Sequence, residues 1–354
     1  MTPSPRSRDR MTTIVPSAAA LATELAEQLA QASSVLVVSH ISPDGDAIGS
    51  ACAMGAIVEY FGRPVVMGIA DTLPELFRFL PCFPRLVRQT TGPFDLVIAV
   101  DASDERRLGD LYTQHAGHAR VINIDHHATN LRFGAINWID TSAAATSEML
   151  FQLTVALAVP LTTDLATCLL TGIVTDTRGF RTSSTTAATL AAASVLVNHG
   201  AALHQIMDIT LERRSLAGLR LWGEALRRAQ RHGRVVWSQI TAADRARCGV
   251  GDNSGDTGLS GFMATANEAD LAVLFTERNG SVEVSMRASP GFDVAEAALA
   301  LGGGGHSQAA GCTVPGPLAS ARIQVMAAVD ASLARQGYPQ PPFEVSTNAA
   351  DVLE

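Results

Sequence analysis

The sequence predicts an α/β protein of two domains, and three observations lead to this prediction. The chain has 354 residues, more than a single typical hydrophobic core organises. In its first half, short apolar segments alternate with helical segments, a pattern typical of a parallel sheet covered by helices on both faces. β character returns after a helix-rich stretch, which indicates a smaller second α/β domain. We expect the active site in the cleft between the two domains.

The predicted strands of the first domain are short and almost entirely apolar. They cover residues 34–39, 64–68, 95–100, 120–124 and 135–139. Uninterrupted apolar runs of this length are typical of strands that are buried on both faces of a sheet. Helices are predicted between or after these strands, at residues 17–31, 47–61, 147–158 and 163–174.

The second half of the chain begins with an alanine- and leucine-rich stretch, 185–226, which is predicted to be mostly helical. A strand follows at 234–240, and two more strands, 270–276 and 281–287, flank Asn279-Gly280, a strong signal for a two-residue β-hairpin. Helices are expected at 293–301 and 318–335. The predicted domain plan is a flexible start (1–16), the first domain (17–195), a helical connector (196–232), the second domain (233–336) and a flexible tail (337–354).

Composition excludes several classes of protein. The formal net charge of −8 argues against a protein that coats long duplex nucleic acid, because such proteins carry basic surfaces. The five cysteines are dispersed without disulfide-like spacing, as in proteins of a reducing cytosol. No segment reaches the roughly 18 consecutive apolar residues of a membrane helix. We therefore expect a cytoplasmic protein without a membrane partner.

Four clusters of acidic residues and histidines follow hydrophobic segments of the first domain. They are His40, Asp44 and Asp46 in HISPDGDAIGS, Asp101 after DLVIAV, Asp125-His126-His127 after RVINI, and Asp176 in TGIVTDTRGF. Ligands of open α/β sheets bind beyond the carboxyl ends of the strands, so the first three clusters should converge at one edge. Asp176 can reach the same edge from the end of a helix.

The four clusters predict a site for two divalent metal ions. Crowded carboxylates repel one another and raise each other's pKa unless cations neutralise them. Oxygen and imidazole ligands without a thiolate favour Mn²⁺, with Fe²⁺, Co²⁺ or Mg²⁺ as competitors. Each residue alone fits a structural role, such as the turn at Pro43-Asp44-Gly45, but their joint placement indicates a site. Two adjacent metal ions are the usual device for hydrolysing phosphate esters.

Together these clusters resemble the motifs of the DHH phosphoesterase superfamily, in the family's order and over roughly residues 33–333. The resemblance implies one metal ion held by His40 and Asp44. It implies a second ion held by Asp46, His126 and Asp176, with Asp101 bridging the two ions.

The resemblance also assigns roles to the other residues of the tripeptide. It implies that His127 contacts the scissile phosphate and is the acid for the leaving oxygen. Asp125 would orient the two histidines, because metal-bound histidines usually need such a partner.

The second domain resembles the DHH-associated domain of nano-RNases and RecJ-type exonucleases, through Ser285-Met286-Arg287 and the segment LGGGGHSQAAG. A glycine run alone is more often a flexible linker, but it also lets backbone amides approach an anion closely. The resemblance implies that the terminal phosphate or nucleotide is bound by Arg287, Gly302, Gly303, Gly304, Gly305 and His306. Leu301 departs from the aromatic residue that relatives often have there, which puts a stacking contact in doubt.

The resemblance implies a metal-dependent phosphodiesterase that degrades short, single-stranded, 5′-phosphorylated oligoribonucleotides to mononucleotides. Phosphoadenosine phosphate is a further expected substrate, and no long duplex is expected. The alternatives are a phosphodiesterase for cyclic or linear signalling dinucleotides and a nucleotide sensor without catalytic activity. Relatives of this kind are often homodimers, but no interface can be recognised in the sequence.

Overall fold

The computed structural model describes residues 17–251 and 255–343. The chain divides into two compact units, Met1–Glu212 and Arg213–Glu354. This division falls inside the stretch that was predicted as a helical connector. The predicted flexible start, 1–16, and residues 344–354 of the predicted tail lie outside the described residues.

The first unit is built on a parallel sheet of six strands, which confirms the predicted fold class. The strands are β1 (Val35–Ser39), β2 (Val65–Ile69), β3 (Leu86–Val87), β4 (Leu96–Val100), β5 (Arg120–Asp125) and β6 (Ile136–Ile139). Their order in the sheet is β3-β2-β1-β4-β5-β6, and every neighbouring pair is parallel. All residues of β1 and β4 are buried, as expected for strands covered on both faces.

This strand order places a switch point between β1 and β4. The chain adds β2 and β3 on one side of β1, and then adds β5 and β6 on the far side of β4. A crevice opens beyond the carboxyl ends of two strands whose connections leave in opposite directions, and ligands of α/β folds bind there. His40 follows the last residue of β1, and Asp101 follows the last residue of β4.

Helices cover both faces of this sheet. They are α1 (Ala18–Gln31), α2 (Gly45–Tyr60), α3 (Gly109–His115), α4 (Thr146–Ala156), α5 (Thr163–Asp176), α6 (Ala187–Asn198) and α7 (Leu203–Met207). The larger core lies on the face covered by α1, α2, α4, α5 and α6, and a smaller core lies under α3 on the other face. Helix α2 begins two residues earlier than predicted because Asp44 Oδ1 accepts hydrogen bonds from the amides of Asp46 and Ala47.

One expectation about the cysteines is wrong. Cys52 of α2 and Cys82 form a disulfide, with their Cα atoms 5.8 Å apart. The two residues are 30 positions apart, and no local pattern of the sequence shows that the segment around Cys82 returns to α2. Cys168, Cys248 and Cys312 are free thiols.

The second unit contains a mixed sheet of six strands. They are β7 (Gln230–His232), β8 (Val235–Ile240), β9 (Leu271–Arg278), β10 (Ser281–Ala288), β11 (Gly304–His306) and β12 (Ala309–Pro315), in the order β11-β12-β10-β9-β8-β7. Only β8 and β9 are parallel. The predicted hairpin joins β9 to β10, and both turn residues have positive φ, 46° at Asn279 and 84° at Gly280.

Helices α8 (Leu216–Arg227), α9 (Ala242–Cys248), α10 (Leu259–Met263), α11 (Ala295–Ala300) and α12 (Leu318–Arg335) complete the second unit. Helices α11 and α12 pack on one face of the sheet, whereas α8 and α10 cover β8 and β9 on the other. Strands β11 and β12 were not predicted, because their glycines and alanines favour a loop. Over the described residues, none of the helices combines the length and the apolar character that crossing a bilayer requires.

Candidate metal centre

The four predicted clusters converge at the carboxyl edge of the first sheet, around Asp101. Its Oδ2 lies 3.5 Å from Nε2 of His40, and its Oδ1 lies 3.7 Å from both Nε2 of His126 and Nδ1 of His127. The Asp101 side chain is almost completely buried. The end of β4 therefore brings one carboxylate into contact with three imidazoles that come from two other strand ends.

The side chains around Asp101 form two groups, each compact enough to bind one cation. His40, Asp44 and Asp101 offer ligand atoms that lie within 4.8 Å of one another. Asp46, His126 and Asp176 form the other group within the same limit, and Nε2 of His126 is 3.1 Å from Oδ2 of Asp176. Helix α2 contributes Asp46 at its start, and helix α5 contributes Asp176 as its last residue.

The backbone at Asp101 is held in an unfavourable conformation. Its φ of 58° lies in the left-handed region, which costs most L-residues about 1–2 kcal/mol, although aspartate visits it more readily. Two hydrogen bonds keep it there. The Asp101 amide donates to the Ile124 carbonyl at 2.9 Å, and Thr146 Oγ1 donates to Asp101 Oδ1 at 3.1 Å. Such strain persists where the surroundings enforce it, often at functional sites.

The amino terminus of α4 binds Asp46, and the sequence reasoning missed this contribution. Asp46 Oδ2 accepts the Thr146 amide at 2.7 Å, and Asp46 Oδ1 accepts the Ser147 amide at 2.9 Å. Unpaired amides and the helix dipole favour a carboxylate at this position. The one signal in the sequence was Thr146-Ser147-Glu148, a typical helix start, but nothing local identifies Asp46, about 100 residues earlier, as its acceptor.

A glycine of α5 makes room for this arrangement. A Cβ atom at Gly172 would lie 2.0 Å from Ser147 Oγ and 2.3 Å from Asp46 Oδ1. Helix α5 therefore packs against the bound carboxylate with no space for any side chain.

Backbone carbonyls set the orientation of two of the histidines. Nδ1 of His40 lies 2.7 Å from the Ile41 carbonyl, and Nδ1 of His126 lies 3.3 Å from the Ala143 carbonyl. A carbonyl can only accept, so Nδ1 carries the proton in both rings. The Nε2 atoms of both rings are therefore directed at the carboxylates, as in metal-binding histidines whose other nitrogen is hydrogen-bonded.

His127 is held by a different partner. Its Nδ1 donates to Asp125 Oδ1 at 2.7 Å, and the same oxygen accepts the His126 amide at 2.9 Å. Asn130 donates to the other oxygen of Asp125 at 2.6 Å. Asp125 thus fixes the His127 ring and the backbone of His126 together. Asn130 was not recognised in the sequence.

The charges of the cluster match what divalent cations would neutralise. Burial and the charges of Asp101 and Asp176 hold the pKa of Asp46 well above its usual range. Burial also raises the pKa of Asp176 to about 6, although the hydrogen bond from His126 lowers it. Burial alone would lower the pKa of His40, but the hydrogen bond to Asp101 and the charges of Asp44 and Asp101 raise it to about 9. Without cations, the cluster retains protons to limit its negative charge, so the donor set fits divalent metal ions.

The other predicted residues lie in the second unit, on β10, on β11 and in the turn directly before β11. Arg287 pairs with Ala309 of β12, and Ala309 pairs with His306 on its other side. Residues directly opposite one another in antiparallel strands point to the same face, so Arg287 and His306 flank a small alanine on one face. Buried Met286, Val284 and Val282 point to the opposite face.

The glycine run makes more backbone hydrogen bonds and close packing contacts than a free anion-binding loop would make. The amides of Gly302 and Gly303 donate to the carbonyls of Leu299 and Ala298. A Cβ atom at Gly303 would lie 2.1 Å from the Gly311 carbonyl oxygen, and one at Gly305 would lie 2.4 Å from that of Ala309. Gly303 and Gly305 therefore permit the close packing of β11 on β12.

Comparison with known proteins matches each unit to the family domain that its sequence motifs resemble. Residues 34–173 match the model described as DHH family, N-terminal domain, and residues 256–334 match the DHHA1 domain. The chain is 34% identical to the Thermus thermophilus protein named Bifunctional oligoribonuclease and PAP phosphatase NrnA, over 86% of this chain and 91% of the relative. The Bacillus subtilis protein of the same name is 26% identical, over 82% of this chain and 93% of that protein.

A solved structure shares the fold. The exopolyphosphatase-related protein from Bacteroides fragilis superposes with a TM-score of 0.84 at 21% identity, covering 92% of this chain and 100% of that one.

The close approach at Gly172 leads to a first prediction. In Gly172→Ala, the added methyl displaces Ser147 or Asp46. The affinity for Mn²⁺ should therefore fall about tenfold or more, as is typical when a group that orients a metal ligand is lost. Isothermal titration calorimetry measures the affinity. The control is Gly223→Ala in α8, where a Cβ meets nothing within 4 Å and no loss is expected. Equal Mn²⁺ affinity in both variants would contradict the role of Gly172.

The raised pKa of His40 leads to a second prediction. A histidine with a pKa of about 9 is protonated at about pH 7.5, and its Nε2 must lose the proton before it binds a metal ion. Mn²⁺ binding should therefore release protons, and the apparent affinity should rise with pH and level off above about pH 9. Calorimetry in buffers of different ionisation enthalpy counts the protons. His40→Ala should release fewer protons than the wild type, and an affinity that is independent of pH would show the assignment to be wrong.

Proposed function

The chain belongs to the DHH family of phosphoesterases, and we propose that it hydrolyses short 5′-phosphorylated oligoribonucleotides with two bound divalent metal ions. The names of the two similar NrnA proteins support this substrate class, because the chain covers nearly the whole length of both relatives. The same names support phosphoadenosine phosphate as a further substrate. The net charge of −8 suits short substrates, which need no extended basic track. We propose that the enzyme acts in the cytoplasm.

The observation that carries this proposal is the orientation of His40 and His126 towards the Asp101 carboxylate. We infer that His40 and Asp44 bind one ion, that Asp46, His126 and Asp176 bind the other, and that Asp101 contacts both. Oxygen and imidazole ligands without a thiolate favour Mn²⁺, with Mg²⁺, Co²⁺ or Fe²⁺ as competitors. Bound metal ions supply an acidified water and neutralise the non-bridging phosphate oxygens.

His127 is the proposed proton donor to the leaving oxygen. Burial lowers its pKa, but the hydrogen bond to Asp125 and the charge of Asp101 outweigh this effect and raise it. With Nδ1 bound to Asp125, the second proton of the imidazolium resides on Nε2. Asp125 stabilises this charged form and holds the ring in place, so we assign it as a positioning residue.

In the second unit, Arg287 and His306 are the proposed binding residues for the terminal 5′-phosphate. Two cationic or donor side chains on one face of a sheet suit an anion, and a planar guanidinium can bind two phosphate oxygens at once. We propose that Gly302 and Gly304, where an added Cβ would meet nothing within 4 Å, leave the backbone beside His306 open to the substrate, and that Gly303 and Gly305 hold this segment against β12.

The metal assignment leads to a third prediction. Asp101→Asn keeps the shape of the side chain but removes the charge shared by both proposed ions. Mn²⁺-dependent cleavage of a dinucleotide such as pGpG should fall by at least about 10³-fold in kcat, because the charge that holds the catalytic cations is lost. The control is Asp164→Asn at the exposed start of α5, which should retain activity.

Three substrate types separate the proposed function from its alternatives. The wild-type enzyme should cleave RNA of two to five nucleotides faster than longer RNA, and it should remove the 3′-phosphate of phosphoadenosine phosphate. Faster cleavage of cyclic dinucleotides would favour a signalling phosphodiesterase. Unchanged cleavage in folded Asp101→Asn would overturn the metal assignment.

The arrangement of Arg287 leads to a fourth prediction. Arg287→Ala should raise KM for a 5′-phosphorylated dinucleotide about tenfold, since it removes charge-assisted hydrogen bonds. The same variant should leave KM for the matching 5′-hydroxyl dinucleotide nearly unchanged. Arg335→Ala, which removes an exposed arginine paired with Glu296, is the control for charge. An equal effect on both substrates would contradict binding of the 5′-phosphate by Arg287.

A further inference from the structure

The first unit contains a cavity of about 250 Å³ beside the candidate metal centre. Its lining includes Ile41, Arg88, Gln89, Asp110 and Gln114. Ile41 directly follows His40, so the cavity wall begins one residue, about 3.8 Å along the chain, from a proposed metal ligand. Arg88 follows the end of β3, at the same carboxyl edge of the sheet.

A backbone hydrogen bond fixes the segment at Ile41, between the metal centre and the cavity. The Ile41 amide donates to the Arg107 carbonyl at 2.7 Å, which attaches the His40 loop to the 3-10 turn Glu105–Leu108. Gly109 follows this turn with a φ of 64°. A Cβ atom there would lie 2.8 Å from Ala70 Cβ and 3.3 Å from Ile41 Cγ2, so the wall at this point leaves no room for a side chain.

The polar side chains of the cavity have no partners in the part of the chain that the structure describes. Arg88, Gln89, Asp110 and Gln114 make no side-chain hydrogen bond or ion pair across residues 17–251 and 255–343. The Arg107 side chain likewise makes none there, although its charge lies close enough to His40 to lower the pKa of that imidazole. One arginine near His40, Arg107, and one in the cavity lining, Arg88, thus make no ion pair within the described residues.

We propose that the cavity, together with Arg107, is a subsite for the substrate chain on the 3′ side of the reacting phosphodiester. Arg88 binds the next phosphodiester along the chain, and Arg107 binds the nucleotide between that phosphodiester and the metal centre. This inference rests on the proposed function and extends it, because it identifies what a trinucleotide gains over a dinucleotide.

The composition of the cavity favours a nucleotide over a free phosphate. Asp110 lies in the same cavity as Arg88, and a carboxylate repels a dianion but can accept hydrogen bonds from ribose hydroxyls. The amides of Gln89 and Gln114 can both donate and accept, as base and sugar edges require. At about 250 Å³ the cavity is smaller than typical ligand pockets, which suits one part of a nucleotide that remains linked to the rest of the substrate.

The test compares Arg88→Ala with the wild type on pGpG and pGpGpG in the presence of Mn²⁺. KM for the trinucleotide should rise about tenfold, because only that substrate has a second internal phosphodiester for Arg88 to bind. KM for the dinucleotide and for phosphoadenosine phosphate should stay within about twofold of the wild-type value. Arg78→Ala, which removes an exposed arginine paired with Glu75 in the same unit, should change neither substrate.

Binding measurements separate this inference from the proposed function. Calorimetry with di- and trinucleotide analogues that have non-hydrolysable linkages reports on the cavity even if the wild type cleaves no RNA. The subsite is supported if Arg88→Ala binds the trinucleotide analogue more weakly than the wild type does but binds the dinucleotide analogue equally well. The subsite is refuted if Arg88→Ala affects both analogues equally or neither, or if inorganic phosphate binds with the same dependence on Arg88.

Discussion

The crowding of four carboxylates, Asp101 and three around it, is the constraint on which the rest of this structure depends. Asp46 and Asp101 are buried, Asp176 is largely buried and Asp44 lies at the exposed margin of the cluster, and each negative charge makes ionisation of its neighbours less favourable. The surrounding elements supply positive charge and hydrogen-bond donors to this point. Three histidines contact Asp101, and the amides of α4 bind Asp46. The remaining excess of negative charge suits a site that is completed by divalent cations.

The parallel sheet brings these charges together because its strand order reverses at β1 and β4. Neither strand end could form the cluster alone, since the segment after β1 provides His40 and Asp44 and the end of β4 provides only Asp101. Helices α4 and α5 then approach so closely that Gly172 cannot carry a side chain. Stability and function are therefore coupled at this position: the packing that buries the helices also fixes the carboxylate of Asp46.

In the proposed function, substrate choice depends on residues away from the proposed metal ligands. The proposed phosphate-binding face of the second unit places Arg287 and His306 on either side of a small alanine. In the first unit, Arg88 directly follows β3 and Arg107 lies in the connection after β4, so both are at the carboxyl edge of the sheet. A chain with an acidic net charge can thus bind short anionic substrates through a few local arginines, without the basic surface that long nucleic acids require.

The sequence alone determined the parallel sheet, the hairpin at Asn279-Gly280 and the set of acidic and histidine residues at the ends of hydrophobic segments. These features are local, because apolar runs and turn residues act over a few positions. The tertiary structure decided which groups hold the site residues in place: Thr146 and Ser147 at Asp46, Asn130 at Asp125, and the carbonyls of Ile41 and Ala143 at the two imidazoles. It also decided the disulfide between Cys52 and Cys82. It also showed that the glycine run is packed against β12. Such contacts join residues that are far apart in the chain, and their geometry arises only when strands and helices pack, so no local pattern records them.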